Sequence, residues 1–510
     1  MNSTTKWLLK SSVAHLILTN NSKNFKFWSD TSKLPSIHLD FYFFNWTNPD
    51  ELNKPEDKPN LVQVGPYSFI CTCCLFVQSL LKSRKKIINV TNCYKKYFLI
   101  SHYREISQKV NITFHSNNGT VSYFQRRFWY FDEKRSNGTL EDKVSLLDII
   151  VVSDGNIIRM HPYSHNTTFS YHASKRRNIN IIEKVGDLLI GYKDFSYLKH
   201  FNDLLYLSKK NGTVDTDNFN VATGEKNISQ LGLLKKWNYQ NTSSYFEKIC
   251  NQIEGSIGDF WPPNLIDYEI KLFMPELCRA LIYEFDKTAD YMGIEGFKYT
   301  LGDRTLENDR NLCYLLKALN DFKIKNSNIV CEPKNMIEQC YCSKECNPIG
   351  FINIGSCRYG AQMFVSLPHF YKAEPKIRNQ TVGMNPNEEE HSFYIILEPN
   401  TGIPLEIAKR LQINLLLQRS PDISFFSNIS TIYFPIFWYS KKIKLPQELT
   451  SELQVLISFD SLVLKSFIII TVIAILICCL ATWYHQFNCI NHTRVNNVTN
   501  DIGMVLLNDN

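Results

Sequence analysis

The sequence lacks the short motifs that identify common enzyme classes. It contains no Gly-x-Ser-x-Gly elbow, no His-Glu-x-x-His pair and no glycine-rich phosphate loop. His369 and His391 stand near the acidic run Glu388 to Glu390, and histidines near carboxylates would suit acid–base chemistry. We interpret both histidines as solvated loop residues, because the run Asn385 to His391 is polar and carries turn signals. The sequence therefore predicts no catalytic site, no metal and no cofactor.

A long hydrophobic run is also missing from the N-terminal part of the chain. The apolar patch from Val13 to Leu18 is too short to span a bilayer or to serve as a signal core. We treat residues 1–24 as an atypical N-terminus.

One long uncharged run is present near the other end. No charged side chain occurs from Ser466 to Tyr484, a helix of about 28 Å at about 1.5 Å per residue, which matches a hydrocarbon core. Trp483 and Tyr484 suit the membrane interface. We predict a transmembrane helix at 466–484 and a cytoplasmic tail at 485–510.

The side on which the large segment lies follows from sequons and cysteines, because the charges flanking the helix are too few to decide it. Asn-x-Ser/Thr acceptors are frequent and the chain has 15 cysteines, both typical of compartments outside the cytosol. We predict that residues 25–465 are luminal or extracellular. The predicted glycosylation sites are Asn45, Asn111, Asn118, Asn137, Asn166, Asn211, Asn227, Asn241, Asn379 and Asn428.

Residues 340–414 contain the most informative stretch. A cysteine cluster is followed by an apolar run that ends at Pro368, which cannot donate to a strand ladder. Next come the acidic loop, a predicted strand from Phe393 to Leu397 and a turn from Glu398 to Gly402. This block resembles the signature of the class B scavenger receptors. The supporting matches are Phe41 to Pro49, Gly65-Pro66-Tyr67, Phe128 to Phe131 and Leu277-Cys278-Arg279.

The resemblance implies the fold class α+β. It implies an antiparallel β-barrel ectodomain with an internal lipid tunnel, a membrane-distal helical bundle and transmembrane helices at both ends. The N-terminal helix of this pattern would precede Phe25 and is not found in this sequence, which we attribute to truncation. The alternative is a tail-anchored protein with its bulk in the cytosol.

The resemblance also implies three disulfides: Cys250 with Cys340, Cys278 with Cys357, and Cys342 with Cys346. A metal site is the rival interpretation of these cysteines, but their spacing fits no ordinary zinc module. The lipid-contacting lysine region of the family falls near Lys175, Arg176 and Arg177, which we predict to bind ligand. The alternative is that these three cations form a solvated surface.

One segment departs from the family pattern. Residues 70–103 hold six Lys or Arg and no carboxylate, so without them the net charge falls from +7 to 7 − 6 = +1. A cationic loop that attracts anionic lipid or nucleic acid is one interpretation. We favour a non-family insert, a translated intron, and predict no nucleic-acid partner.

Two functions remain open at this point. The first is a membrane receptor that binds and transfers fatty acids, sterol, lipoprotein or anionic phospholipid, with lipids, lipoprotein particles and the membrane as partners and homo-oligomers allowed. The second is a lysosomal sorting receptor for a luminal protein cargo, for which Val505-Leu506-Leu507 offers a dileucine. The sequence favours the plasma membrane, with the lysosomal membrane as the alternative.

Overall fold

The computed structural model describes the chain in thirteen stretches. They are residues 16–20, 22–29, 37–52, 57–70, 107–148, 151–152, 179–190, 212–246, 251–265, 268–306, 348–358, 362–419 and 426–507. The chain divides into two units, Val13–Gln447, and Met1–Ser12 with Glu448–Asn510. The first unit contains all the strands described below.

The strands alternate with tight turns, as β-branched and aromatic runs separated by Asn-Gly pairs predict. In chain order they are β1 (His38–Trp46), β2 (Leu61–Ile70), β3 (Ser107–His115), β4 (Thr120–Arg127), β5 (Tyr130–Phe131), β6 (Lys143–Leu147), β7 (Asn180–Lys184), β8 (Val214–Ala222), β9 (Leu234–Trp237), β10 (Glu269–Met274), β11 (Arg279–Tyr291), β12 (Ile294–Leu301), β13 (Ile352–Asn353), β14 (Met363–Ser366), β15 (Tyr394–Leu397), β16 (Pro404–Leu417) and β17 (Ile432–Lys444). The α-helices are α1 (Lys23–Ser29), α2 (Val185–Ile190), α3 (Asp303–Leu306), α4 (Pro375–Arg378), α5 (Glu388–His391) and α6 (Gln447–Leu507).

The strands form one large antiparallel sheet and two small ones. The large sheet has 11 strands in the order β10-β11-β12-β15-β16-β17-β1-β2-β5, with β14 joining β16 to β13. The small sheets are β3-β4-β8-β9 and the pair β6-β7. Since β10 and β5 are not paired with each other, the strands described here do not close into a barrel. The predicted antiparallel sheet is confirmed; the barrel, tunnel and helical bundle stay predictions.

The centre of the large sheet presents two different faces, because neighbouring side chains on a strand point to opposite sides. The register pairs Leu411 with Tyr439 and Lys409 with Lys441 on one side, which we call the lysine face. Gln412 pairs with Trp438 on the other side, which we call the histidine face because His369 and His391 pack against Trp438 there.

The predicted N-terminal patch belongs to the first unit. Leu16 and Leu18 are buried, and the Leu18 amide donates a hydrogen bond to the Thr223 carbonyl (3.0 Å). Phe25 and Trp28 on α1 pack against the four-stranded sheet β3-β4-β8-β9, where they contact Phe114 and Tyr123.

The second unit contains α6. Its segment Lys465–Asn488 is long and apolar enough to cross a membrane, and it is the only such helix in the described part of the chain. It includes the predicted span 466–484.

Candidate functional site

The histidine face contains a stacked pair of buried imidazoles. His369 is 5% exposed and His391 is 3% exposed, and their rings lie 4.5 Å apart. The interpretation of these histidines as solvated loop residues is therefore wrong. The acidic loop is the short helix α5, whose Asn387 cap turns Glu388 to Glu390 outward and His391 inward.

Both nitrogens of His369 have partners that suit the neutral ring. The Asn385 amide donates to Nδ1 (3.1 Å), and Nε2 lies 2.6 Å from the Gln63 Oε1 acceptor, which also receives the Trp438 indole (2.7 Å). His391 Nδ1 accepts from the Asn387 amide (2.8 Å). A proton added to either Nδ1 would face an amide N–H, so the pair stabilises the fold only while it is neutral.

The pKa values of the two histidines are low for the same structural reason. Burial lowers the pKa of His369 to about 4. Burial, followed by the charges of His369 and Arg410, lowers the pKa of His391 to about 3. The pair is thus buried within the sheet and held in its neutral form by its hydrogen-bond partners.

An ion pair crosses the lysine face. Glu276 lies in the turn between β10 and β11, and β11 is three strands away from β16. The Glu276 Oε1 atom is 2.8 Å from the Lys409 Nζ atom. The two side chains therefore reach toward each other across the intervening strands.

Aromatic rings pack on the lysine face. Phe285 packs edge-on against Phe297 (5.3 Å) and Tyr299 (6.0 Å), and the buried Tyr283 packs against the buried Phe393 (5.0 Å). Phe285, Phe297, Tyr439 and Ile443 pack against the core while remaining only partly buried. Partly accessible apolar side chains of this kind suit contact with a hydrophobic ligand.

Glu276 and Lys409 form an ion pair that is mostly surrounded by protein. Burial is the largest effect on the pKa of Glu276 and would raise it, but the charge and hydrogen bond of Lys409, a backbone hydrogen bond and the charge of Arg127 together lower the pKa to about 2. In this pair 27% of the Glu276 side chain and 17% of the Lys409 side chain remain accessible. The carboxylate is therefore ionised and still in contact with solvent.

The predicted cysteine pairs are only partly within the described residues. Cys278 and Cys357 are both buried thiols, joined by a hydrogen bond between their side chains. Burial raises the pKa of Cys278. The structure thus brings together one of the three predicted pairs, although without a sulfur–sulfur bond, and that disulfide stays a prediction. Cys250, Cys340, Cys342 and Cys346 lie outside the described residues.

Some of the remaining predicted sites lie within the described residues and others lie outside them. Lys175, Arg176 and Arg177 lie outside the described residues, as do Asn166, Asn211 and most of the insert 70–103. Asn45 is half-buried in β1, where its Oδ1 atom accepts from the Ser145 amide (2.8 Å). The exposed sequon asparagines are Asn111, Asn118, Asn137, Asn227, Asn241, Asn379 and Asn428.

Sequence reasoning missed the residues of the lysine face. Lys409 is one of two adjacent cations in β16, and only folding brings Glu276 to it. The available signal was the break that Lys409 makes in a strand otherwise buried from Leu405 to Leu417.

An antiparallel sheet followed in the chain by a helix long and apolar enough to cross a membrane fits a membrane-anchored protein. Comparison with known proteins agrees, because the model of the CD36 family matches residues 3–72 and 102–485. The chain belongs to the CD36 family.

Three relatives illustrate the similarity. Protein peste of Drosophila melanogaster is 27% identical over 86% of this chain and 71% of its own length. Scavenger receptor class B member 1 of Mus musculus is 28% identical over 82% of this chain and 73% of its own length. Lysosome membrane protein 2 of Mus musculus is 27% identical over 92% of this chain and 87% of its own length. The predicted family and the predicted membrane receptor are confirmed.

Proposed function

We propose that this protein is a class B scavenger receptor that binds lipid ligands and transfers them through its ectodomain. Fatty acids, sterol, lipoprotein lipid and anionic phospholipid are its ligand classes. The partly accessible aromatic side chains of the lysine face, Phe285, Phe297 and Tyr439, carry this proposal. Keeping an acyl chain on such a surface saves about 0.8 kcal/mol for each methylene that would otherwise enter water.

The proposed route is a tunnel through a closed barrel, entered below a helical bundle. The 11 strands of the large antiparallel sheet support a barrel. The plasma membrane is the proposed location.

A substitution that adds bulk to the lysine face tests the route. Ile443 is partly buried on the lysine face, so Ile443→Trp narrows the space, whereas Val62, 48% exposed, provides the control Val62→Trp. Cells expressing the full chain should bind labelled lipoprotein equally with either variant. Ile443→Trp should lower transfer of lipid from the bound particle. Unchanged transfer would contradict the route.

The second candidate is a lysosomal sorting receptor for a protein cargo. A relative named as a lysosome membrane protein matches 92% of the chain, which favours it. Replacing Leu506 and Leu507 with alanine should then move the protein from lysosomes to the cell surface. Wild-type protein that already resides at the cell surface would exclude the lysosomal sorting function.

A further inference from the structure

A tight turn after β9 presents an exposed tyrosine. Trp237 and Gln240 exchange two backbone hydrogen bonds (2.9 and 3.1 Å), so Asn238 and Tyr239 are the two central residues of the turn. Both have positive φ, 50° and 68°, as a type I′ turn requires. Glycine is the usual second central residue, because a Cβ atom is unfavourable in the left-handed region. Tyr239 therefore occupies a position that the backbone alone would not give to tyrosine.

The side chains of the two central residues differ in what they do for the turn. Asn238 stabilises it, because its Oδ1 atom accepts from the Asn218 amide (2.9 Å) and its Nδ2 atom donates to Asp217 (3.2 Å). Tyr239 is instead 67% exposed. An aromatic residue that strains the backbone and leaves its ring in solvent adds little to the fold, and such outliers indicate a functional constraint.

An Asn-Thr-Ser sequon begins two positions after this tyrosine. Its asparagine, Asn241, is exposed. Gln240, the residue between Tyr239 and Asn241, pairs with Trp237 in an antiparallel bridge. Side chains two positions apart on extended backbone point to the same side. The tyrosine ring and the amide that would carry the first sugar therefore share one side of the turn.

The backbone that follows the sequon asparagine is anchored. Thr242 pairs with Gln252 in a second antiparallel bridge, and the Ser243 amide donates a hydrogen bond to the Asn251 carbonyl (2.6 Å). These contacts fix the attachment point at Asn241, so a sugar there has a defined position relative to the turn.

A second sequon has an aromatic residue at the same spacing but in a different environment. Phe426 precedes Asn428 by two positions, as Tyr239 precedes its sequon, and Asn428 is exposed. Phe426 itself is only 3% exposed and belongs to the core. Of these two rings, the structure leaves only that of Tyr239 accessible to a sugar.

We propose that the ring of Tyr239 stacks on the first N-acetylglucosamine of a glycan attached to Asn241. This inference goes beyond lipid binding and rests on the luminal position proposed for residues 25–465. One face of the sugar presents C–H groups, which the negative face of an aromatic ring attracts, and stacking removes both apolar surfaces from water. The contact holds the core of the glycan over the turn and shields the bond between the sugar and Asn241.

The test measures how fast peptide N-glycosidase releases the glycan at each site of the native protein, as read by mass spectrometry. The full chain is expressed with an N-terminal membrane helix added. Tyr239→Ala keeps the Cβ atom, and hence the backbone strain, but lacks the ring. Release at Asn241 should therefore be at least about threefold faster than in the wild type. Release at Asn428 in the same molecules should be unchanged.

Three further variants separate stacking from bulk. Tyr239→Phe keeps an aromatic face and should release the glycan as slowly as the wild type. Tyr239→Leu keeps much of the bulk without that face and should release it as fast as Tyr239→Ala. Tyr268→Ala is the matched control, because Tyr268 is 75% exposed and has no sequon beside it. It should keep the wild-type rate.

Each other result has a definite meaning. Equal release at Asn241 in Tyr239→Ala and wild type would overturn the inference, as would slow release in Tyr239→Leu, which would show shielding by bulk. Faster release at both Asn241 and Asn428 would show general loosening of the fold and overturn the contact. Wild-type protein with glycans elsewhere but none at Asn241 would overturn this inference alone. No glycan at any site would contradict the luminal position that the proposed receptor function requires.

A measurement on the wild type needs no variant. Hydrogen exchange is compared between protein trimmed to one N-acetylglucosamine at each site and protein from which that sugar has been removed. The amides of Trp237 and Gln240, which close the turn, should exchange at least about threefold faster without the sugar, because stacking opposes opening of the turn. Equal exchange rates in the two forms would overturn the contact.

Discussion

At the scale of single residues, the buried histidine pair makes stability depend on pH. Histidine in the unfolded chain has a pKa near 6.5, whereas the pKa values of His369 and His391 are about 4 and about 3. The unfolded state therefore binds more protons below pH 6.5. The stability that the neutral pair contributes is complete above that pH and is lost as the pH falls toward 4 and then 3.

Removing one imidazole tests this linkage. For each unit by which the pH falls below 6.5, each buried neutral histidine lowers the free energy of unfolding by at most about 1.4 kcal/mol. His391→Gln should flatten the fall in melting temperature between pH 7 and pH 5, even if it destabilises the protein at pH 7. His115→Gln, at an exposed position on β3, should keep the wild-type slope. An unchanged slope in His391→Gln would contradict the linkage.

The cations Lys175, Arg176 and Arg177 carry a second prediction at this scale. Replacing all three with glutamine should lower capture of an anionic lipoprotein while changing stability by less than about 0.5 kcal/mol. The loss should be larger at low salt, because the Debye length falls from about 10 Å at 0.1 M to about 3 Å at 1 M. Capture equal to wild type at both salt concentrations would make this cluster a solvated surface.

Single residues also show where sequence reasoning succeeds. Pro368 was expected to stop a strand and does so, because its ring lacks the ladder donor: β14 ends at Ser366. The burial of His391 was not predictable, since a polar run around a helix of one turn has no readable periodicity. Its partner His369 is 22 positions earlier in the sequence, and only folding brings the rings together.

At the scale of elements, one charged cluster attaches α1 to the four-stranded sheet β3-β4-β8-β9. Lys109 of β3 has a side chain only 4% exposed, and its Nζ is 3.1 Å from Asp259 and 4.7 Å from the Trp28 ring centroid. The Trp28 indole also donates to Asp259 (3.0 Å). Loss of the carboxylate would leave a buried ammonium without its counter-charge.

Asp259→Asn should therefore destabilise the first unit more than Lys109→Met does. Removing one partner of a buried pair costs about 3–5 kcal/mol, whereas an apolar replacement of the buried cation costs much less. The exposed pair Lys184 and Glu141 is the control, and Lys184→Met should cost less than about 1 kcal/mol. Denaturant unfolding measures all three. A smaller loss for Asp259→Asn than for Lys109→Met would contradict this assignment.

The strands were predictable because alternation and turn residues are local signals. The contact of Glu276 with Lys409 was not, since the two positions are 133 residues apart in the sequence. For the same reason the lysine face could not be read from the sequence: register sets which side chains share a face, and pairing partners are distant in the chain.

At the scale of the whole molecule, the topology predicts where glycans occur. Expressed with an N-terminal membrane helix added, the segment from Phe25 to Lys465 should enter the lumen. The exposed asparagines Asn111, Asn118, Asn137, Asn227, Asn241, Asn379 and Asn428 should then carry glycans. Asn45 should remain unmodified because its side chain is bound to Ser145. Glycosidase treatment that leaves the mass unchanged would contradict a luminal segment.

Family membership followed from motifs spread along the chain, and the helix Lys465–Asn488 followed from its composition. The ligand did not follow, because the residues that line an apolar surface are ordinary apolar residues and only their arrangement selects a ligand.

The most direct measurement uses lipoprotein labelled separately in its lipid and its protein, added to cells that express the full chain. A receptor that transfers lipid through its ectodomain should deliver the lipid label in clear excess over the protein label, and above cells without the receptor. Lipid uptake equal to that of cells without the receptor, or lipid and protein taken up in the proportions of the intact particle, would contradict the account.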